Sequence, residues 1–312
     1  MLRFAHISDP HLPLRVSPPL SAIANKRMLG LINWRRNRSK RHRPEVLDKI
    51  ACDLADQAPD FTVVTGDVAN IALPDEFSIA RDWLETLGPP EKVMFLPGNH
   101  DAYVRTAWDD TLGVLAAYMA GERDGEIRTP RGFDDFPFIR RQGSVGFLAL
   151  NSSPPTAPGL ATGRVGPEQR RRMEAGLRAL GGEGLLRVVA LHHPPMKGIL
   201  SPRKSLDDAD ALGASLAAAG AELVIHGHGH KPSFAAIDSA RGPIAVHGVA
   251  SASYAGRAGH PAAQYHLYTA TRDEAGGFTL ELEVRGLDNP AGAVVSLEKR
   301  IIALPGARRS AA

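Results

Sequence analysis

A chain of 312 residues with 43% apolar side chains can bury a large core, and its single cysteine, Cys52, excludes an internal disulfide framework. No apolar run approaches the roughly 18 residues of a membrane span, and no leader-like segment follows Met1, so a cytoplasmic protein is expected. The balance of 37 basic and 34 acidic residues, net +3, conceals one strongly basic segment.

Leu2–Ser8 reads as a strand, halted by Asp9-Pro10. The basic segment 12–44 follows, then a helix-period stretch at Glu45–Gln57 in which Cys52 reads as a small buried apolar residue. Phe61–Thr65 is a β-branched strand ending at Gly66, Asp75–Leu87 a helix, and Lys92–Leu96 a strand stopped by Pro97-Gly98. A helix at Pro167–Leu180 precedes the strand Leu185–Leu191, and a helix at Ser205–Ala219 precedes Glu222–Ile225. Strands alternating with helices predict an α/β fold, whose ligands bind at the carboxyl ends of the strands. From Pro232 the pattern changes to strands only: Ser233–Ile237, Ile244–Val249, Gln264–Thr269, Phe278–Arg285 and Val294–Ile302, with turns at Gly276-Gly277 and Asn289-Pro290. These read as a second sheet packed on the first, giving a sandwich with helices outside. One catalytic domain over 1–304 is expected, with a flexible basic tail at 305–312.

Five polar blocks follow the strands: Asp9-Pro10-His11, Gly66-Asp67, Gly98-Asn99-His100-Asp101, His192-His193-Pro194 and Gly227-His228-Gly229-His230. Carboxylates and an amide oxygen suit hard dications, imidazoles suit borderline transition metals, and strand ends hold both rigidly. Singly the blocks are weak signals; Gly-Asp alone is usually a turn. Together, in this order and each at a strand end, they resemble the calcineurin-like metallophosphoesterase superfamily over residues 4–230.

That resemblance implies a four-layer α/β/β/α sandwich of two mixed sheets flanked by helices, and a binuclear centre of manganese, iron, zinc or cobalt. Asp9, His11 and His230 would hold one ion, Asn99, His192 and His228 the other, and Asp67 would bridge them. A hydroxide shared by the ions would be the nucleophile on phosphorus. His100 would face the substrate as general acid. Asp101 would orient its imidazole, and His193 would lie at the rim. The block pattern looks most like the bacterial cyclic-nucleotide and glycerophosphodiester branch, so a phosphodiesterase is expected. The alternatives are a lipid-linked pyrophosphate or phosphodiester substrate at a membrane, and a phosphomonoester. A non-enzymatic metal- or anion-binding scaffold is disfavoured because every ligand position is filled.

The other polar groups invite simpler readings. His6, His226, His247 and His266 fall in strands and read as core or sheet residues, whereas His42 and His260 read as solvated. Asp207, Asp208 and Asp210 complement the dipole at a helix start, and Asp134-Asp135 is a loop.

Residues 12–44 contain no acid but nine basic residues: Arg15, Lys26, Arg27, Arg35, Arg36, Arg38, Lys40, Arg41 and Arg43. The rest of the chain therefore sums to −6, from 28 basic and 34 acidic residues. If Ser21–Arg36 is helical, Met28, Leu29, Leu31, Ile32 and Trp34 form an apolar stripe. Three readings stand: a helix packed on the domain, a cap whose arginines grip an anionic substrate, and an amphipathic helix on an anionic leaflet of the inner membrane. Met196–Lys204 adds a second basic–apolar stretch near the same rim. Nucleic acid is not an expected partner, because aromatic residues make up only 6% and only Trp34 interleaves with the basic cluster.

Overall fold

The computed structural model describes residues 1–14, 18–257, 259–289 and 292–305. Arg15, Pro290 and the tail 306–312 therefore lie outside the described residues. In chain order the strands are β1 (Leu2–Ile7), β2 (Phe61–Val64), β3 (Val93–Phe95), β4 (Gly121–Arg123), β5 (Glu126–Arg128), β6 (Phe138–Gln142) and β7 (Val145–Ala149). They continue as β8 (Leu186–Leu191), β9 (Leu223–His226), β10 (Ser233–Ile237), β11 (Ile244–Gly248), β12 (Gln264–Arg272), β13 (Phe278–Leu287) and β14 (Val294–Ile302). Helical pieces α1 (Leu20–Ile23), α2 (Lys26–Asn33) and α3 (Ser39–Arg41) occupy the basic segment, with one π-helical stretch, Trp34–Arg38, between the last two. The longer helices are α4 (Pro44–Gln57), α5 (Pro74–Leu87), α6 (Pro167–Gly182) and α7 (Ala209–Ala219). Three of them open on proline, whose fixed φ and missing N–H cost nothing in a first turn.

Two mixed sheets result, ordered β14-β13-β12-β1-β2-β3 and β10-β11-β9-β8-β7-β6-β4-β5. This corrects the expected division of strands. The C-terminal strands do not make a sheet of their own: β12 pairs antiparallel with β1, while β10 and β11 extend the sheet of β8 and β9. The second sheet is completed by β4–β7. Strands β4 and β5 have three residues each around Asp124-Gly125, and β6 carries Arg140, Arg141 and Gln142, so neither shows a long apolar run.

Alternation along the strands splits the core. In β8, Val188 and Ala190 join the cluster between the sheets, while Val189 and Leu191 join a second cluster under α6 and α7. Between the sheets Phe4 meets Phe147 edge-on at 5.0 Å and stacks on Tyr268 at 4.8 Å. Helices α4 and α5 add Val46, Ile50, Phe77 and Leu84 to that cluster. The fold is thus the expected α/β/β/α sandwich.

Smaller expectations also change. Cys52 is exposed, on the solvent side of α4. Asp208 does more than favour the dipole of α7: it accepts from the Val165 and Gly166 amides at 3.0 and 2.8 Å and pairs with Arg170, tying the starts of α6 and α7 together. His6, His226, His247 and His266 are buried in strands, as read, and His260 is half-buried against Tyr254. No helix among the described residues is long and apolar enough to cross a membrane.

Candidate metal centre

Strands β1, β2 and β3 run parallel, as do β7, β8 and β9, so their carboxyl ends open on one edge of the sandwich. The five blocks leave from those ends. The first two are joined beyond the ladder: Asp9 N donates to Gly66 O, His11 N to Asp67 O and Leu12 N to Val68 O, each at 3.0 Å. Gly98 is required here, since a Cβ on it would strike the Asp67 carboxylate and amide.

The side chains converge in two overlapping groups. One ligand atom from each of Asp9, His11, Asp67 and His230 lies within 4.8 Å of the others, and the same holds for Asp67, His192 and His228. Asp67 belongs to both: its Oδ2 is 3.8 Å from His11 Nε2 and 3.4 Å from His192 Nε2. Asn99 Oδ1 is 3.2 Å from His192 Nε2, and His230 Nε2 is 3.1 Å from Asp9 Oδ1 and 3.3 Å from His11 Nε2. Five of these residues, Asp9, His11, Asp67, His228 and His230, have left-handed backbones with φ of 41–64°. Such conformations cost about 1 kcal/mol or more each and persist where the surroundings enforce them, commonly at functional sites.

A metal pair fits this donor set. His11 Nδ1, His192 Nδ1 and His228 Nε2 each donate to a backbone carbonyl, of Ala69, Thr65 and Lys204, which fixes the tautomer and leaves the other nitrogen as a lone-pair donor. Asp9 Oδ1 is buried without a well-formed hydrogen bond and faces His230 Nε2 at 3.1 Å, as two donors to one cation would. Burial opposes the charge on Asp67, but His192 and His100 hold its carboxyl well below the usual range. Burial likewise opposes a charged His192, yet Asp67 and Asp9 raise it to about 9.

Two neighbours differ from expectation. Asp101 does not touch the His100 imidazole. Its Oδ2 accepts from the Asp67 and Gly98 amides and its Oδ1 from the Ala69 amide, all at 2.8 Å, so it clamps the backbone that carries Asp67. The His100 ring is set instead by Asn70 O, 2.6 Å from Nδ1, while its amide donates to Asp67 Oδ1 at 2.7 Å. His193 is not at the rim: it is fully buried, held by Ser152 Oγ and Ala161 O, with its ring 4.4 Å from that of His228.

The basic segment supplies what the sequence did not reveal. Leu31 and Ile23 pack on Ile71 and Leu73, and Arg27 donates to the carbonyls of Ile71 and Ala72, just beyond the Asp67 block. Gly30 lets α2 approach Ile71 and Tyr103. Arg38 then reaches inward, its Nη2 2.6 Å from His100 Nε2. His42, expected in solvent, is buried beside His11 and His230, with ring centroids at 4.6 and 5.4 Å. Burial, then His230 and Arg38, lower it to about 2, a neutral imidazole at any working pH. Neither residue has a recognisable motif; only the return of the segment to the site places them.

The family sequence model of calcineurin-like phosphoesterases matches residues 2–232. This chain belongs to that family. It is thereby a member of a class of phosphoester hydrolases, as the block pattern implied. A glycerophosphodiester phosphodiesterase, GpdQ, of Enterobacter lignolyticus is 29% identical over 140 residues, 45% of this chain and 44% of that protein. The match thus spans less than half of the relative's length. Among solved structures, a dimetal phosphatase from Danio rerio superposes with a TM-score of 0.61 at 14% identity, covering 97% of this chain and 98% of that one. A purple acid phosphatase from yellow lupin gives 0.58 at 13% identity, covering 97% and 53%. At such identities the structural likeness concerns the fold.

Proposed function

We propose that this protein is a binuclear-metal phosphodiesterase working as one catalytic unit over residues 1–304. Asp9, His11 and His230 hold one ion, Asn99, His192 and His228 the other, and Asp67 bridges. The observation that carries this reading is the place of Asp67 Oδ2 between His11 and His192, the point where the two donor groups share a carboxylate. Two bound dications, of manganese, iron, zinc or cobalt, supply Lewis-acid activation and charge neutralisation for attack on phosphorus.

The chain's own residues do the rest. His100 Nδ1 is committed to Asn70 O, so Nε2 is the atom that presents a proton to the leaving oxygen. In the free protein burial and the Arg38 charge hold this ring down, to about 3. A phosphodiester anion that takes Arg38 onto its own oxygens removes that cation from Nε2 and sets a negative group there, which favours the protonated, acid-competent ring. Arg38 is thus an anion clamp whose release arms His100. Diester substrates are favoured by the likeness to the glycerophosphodiester phosphodiesterase, and a cyclic nucleotide or a similar small diester fits the same chemistry.

A second reading rests on a separate observation. Leu20, Met28, Leu29 and Ile32 are exposed on α1 and α2, near the exposed Arg35, Arg36, Lys40 and Arg41. Such a face suits the anionic, cytoplasmic side of a membrane and a lipid-linked phosphodiester or pyrophosphate.

The test is hydrolysis of bis(p-nitrophenyl) phosphate and p-nitrophenyl phosphate by protein reloaded with manganese, beside Asp67→Ala, His100→Ala and Arg38→Ala. Diester turnover lost in the first two variants, with a KM raised about tenfold or more in the third, supports the proposal. Turnover of the monoester alone makes the enzyme a phosphatase. Salt-sensitive sedimentation with phosphatidylserine vesicles, lost in a Leu29→Ser/Ile32→Ser variant, selects the membrane reading.

A further inference from the structure

The family pattern accounts for seven donor residues, and His42 is not among them. We propose that His42 is a further donor to the first ion, so that the inserted segment returns to complete the coordination begun by Asp9, His11 and His230. The inference rests on the binuclear reading above and adds a ligand to it.

Position comes first. One ligand atom from each of His11, His42 and His230 lies within 4.8 Å of the others, and His11 and His230 are the imidazoles that this group shares with Asp9 and Asp67. Orientation comes second. His42 Nδ1 is 2.9 Å from Ser253 Oγ and 3.3 Å from Ser251 Oγ, and the Ser251 hydroxyl donates to Asp9 O at 2.7 Å. A ring held at one nitrogen by a polar partner keeps the other free for a metal, the arrangement seen in His11, His192 and His228. Here Nε2 is the free atom.

The backbone around His42 is fixed on both sides. Arg43 N donates to Ser253 O at 2.9 Å and Ala255 N to Arg41 O at 2.8 Å, with His42 bridged to Tyr254 between them. Its ring also packs edge-on against Tyr254 at 5.7 Å. A solvated surface histidine has no such cradle. The fixing elements lie immediately after Ser251, which holds the Asp9 block, so His42 is registered to the same frame as the first ion's other donors.

A chemical consequence follows. With His42 the first site has three imidazoles and two carboxylates, whereas the second has two imidazoles, one carboxylate and the Asn99 amide oxygen. Nitrogen-rich sites gain more on moving from manganese towards cobalt and zinc than oxygen-rich ones do. The first site is therefore selective for zinc or cobalt over manganese, and the second is less so.

The experiment uses full-length protein stripped with chelator and titrated with cobalt, read by visible absorption and calorimetry, then repeated with zinc and with manganese. His42→Asn keeps a polar atom near Ser253 but has none at the Nε2 position; His42→Gln sets an amide oxygen near Nε2. The expected result is two ions in the wild type. In His42→Asn one ion binds roughly 10–100-fold more weakly or worse, the other is unchanged, and the cobalt ligand-field bands shift. His42→Gln recovers part of the affinity, and the zinc-over-manganese preference of the weakened site narrows. Wild-type affinities and an unchanged cobalt spectrum in His42→Asn overturn the assignment. So does an equal loss of both ions in both variants, which general disturbance of the 251–254 loop would give. A wild type that binds fewer than two ions overturns the binuclear reading and His42's role with it.

Discussion

Asp101→Asn tests whether the centre is held by its backbone clamp. The wild-type carboxylate accepts three amide hydrogens at 2.8 Å, from Asp67, Ala69 and Gly98, inside a buried pocket. Asparagine offers one acceptor oxygen. Placed at Oδ2 it keeps the Asp67 and Gly98 bonds in weaker, uncharged form, and its NH2 then faces the Ala69 amide. One buried N–H is stranded, at about 1–3 kcal/mol, and two bonds lose their charge assistance, at roughly 0.5–1 kcal/mol each. The sum is about 3 kcal/mol. At roughly 2 °C per kcal/mol for a chain this long, Tm falls by about 6 °C. Burial and the Asp67 charge push this carboxyl up to about 7, so calorimetry of the metal-free protein at a pH well above that, where it is ionised, reads the loss without interference from bound ions. Because the clamped backbone carries Asp67, and Asp67 Oδ1 accepts from the His100 amide, metal affinity and kcat fall in the same variant. Were Asp101 an orienter of the His100 ring, stability would hold and only the pH profile would move. A variant within 1 kcal/mol of wild type with normal metal content refutes the clamp.

Three further outcomes are expected. Since His192 titrates near 9 in the metal-free site, an ion entering below that pH displaces its proton, so calorimetry in buffers of differing ionisation enthalpy should show about one proton released and an affinity falling roughly tenfold per pH unit on acidification. Asp53 is opposed by burial but held below its ordinary 3.8 by Arg285 and Tyr265; a depressed carboxylate stabilises the fold above that value and loses the effect as pH falls through the folded pKa. Asp53→Asn should therefore lower stability at pH 7 and flatten the acid limb of a denaturation profile. Gly30→Val drives a side chain into Ile71 and Tyr103, so α2 lifts and Arg38 loses its station: KM for bis(p-nitrophenyl) phosphate should rise several-fold while Tm falls by only a few degrees.

How much was legible follows from the range of the forces involved. Buried parallel strands announce themselves by local apolar runs, and ligand blocks at their ends by composition, so the β1, β2, β3, β8 and β9 termini could be read directly. Sheet membership could not, because whether β12 joins β1 or makes a new sheet is settled by packing between Phe4 and Tyr268, 264 positions apart in the chain. Short strands such as β4 and β5, and the charged β6, take their stability from neighbours and leave little trace in a window of their own. The same distinction runs through the site. Asp9 and Asp67 sit where local pattern places them, but the partners of Asp101 and the burial of His193 depend on atoms from other elements. Charge was the most misleading signal. The run of nine basic residues looks uniform in sequence, yet Arg27 is spent on three carbonyls, Arg38 is turned onto His100, and Arg35, Arg36, Lys40, Arg41 and Arg43 face solvent. Net charge counts such residues alike; only the path of the backbone, fixed by Gly30 against Ile71 and by His42 against Tyr254, decides which of them reach the His100 side of the site.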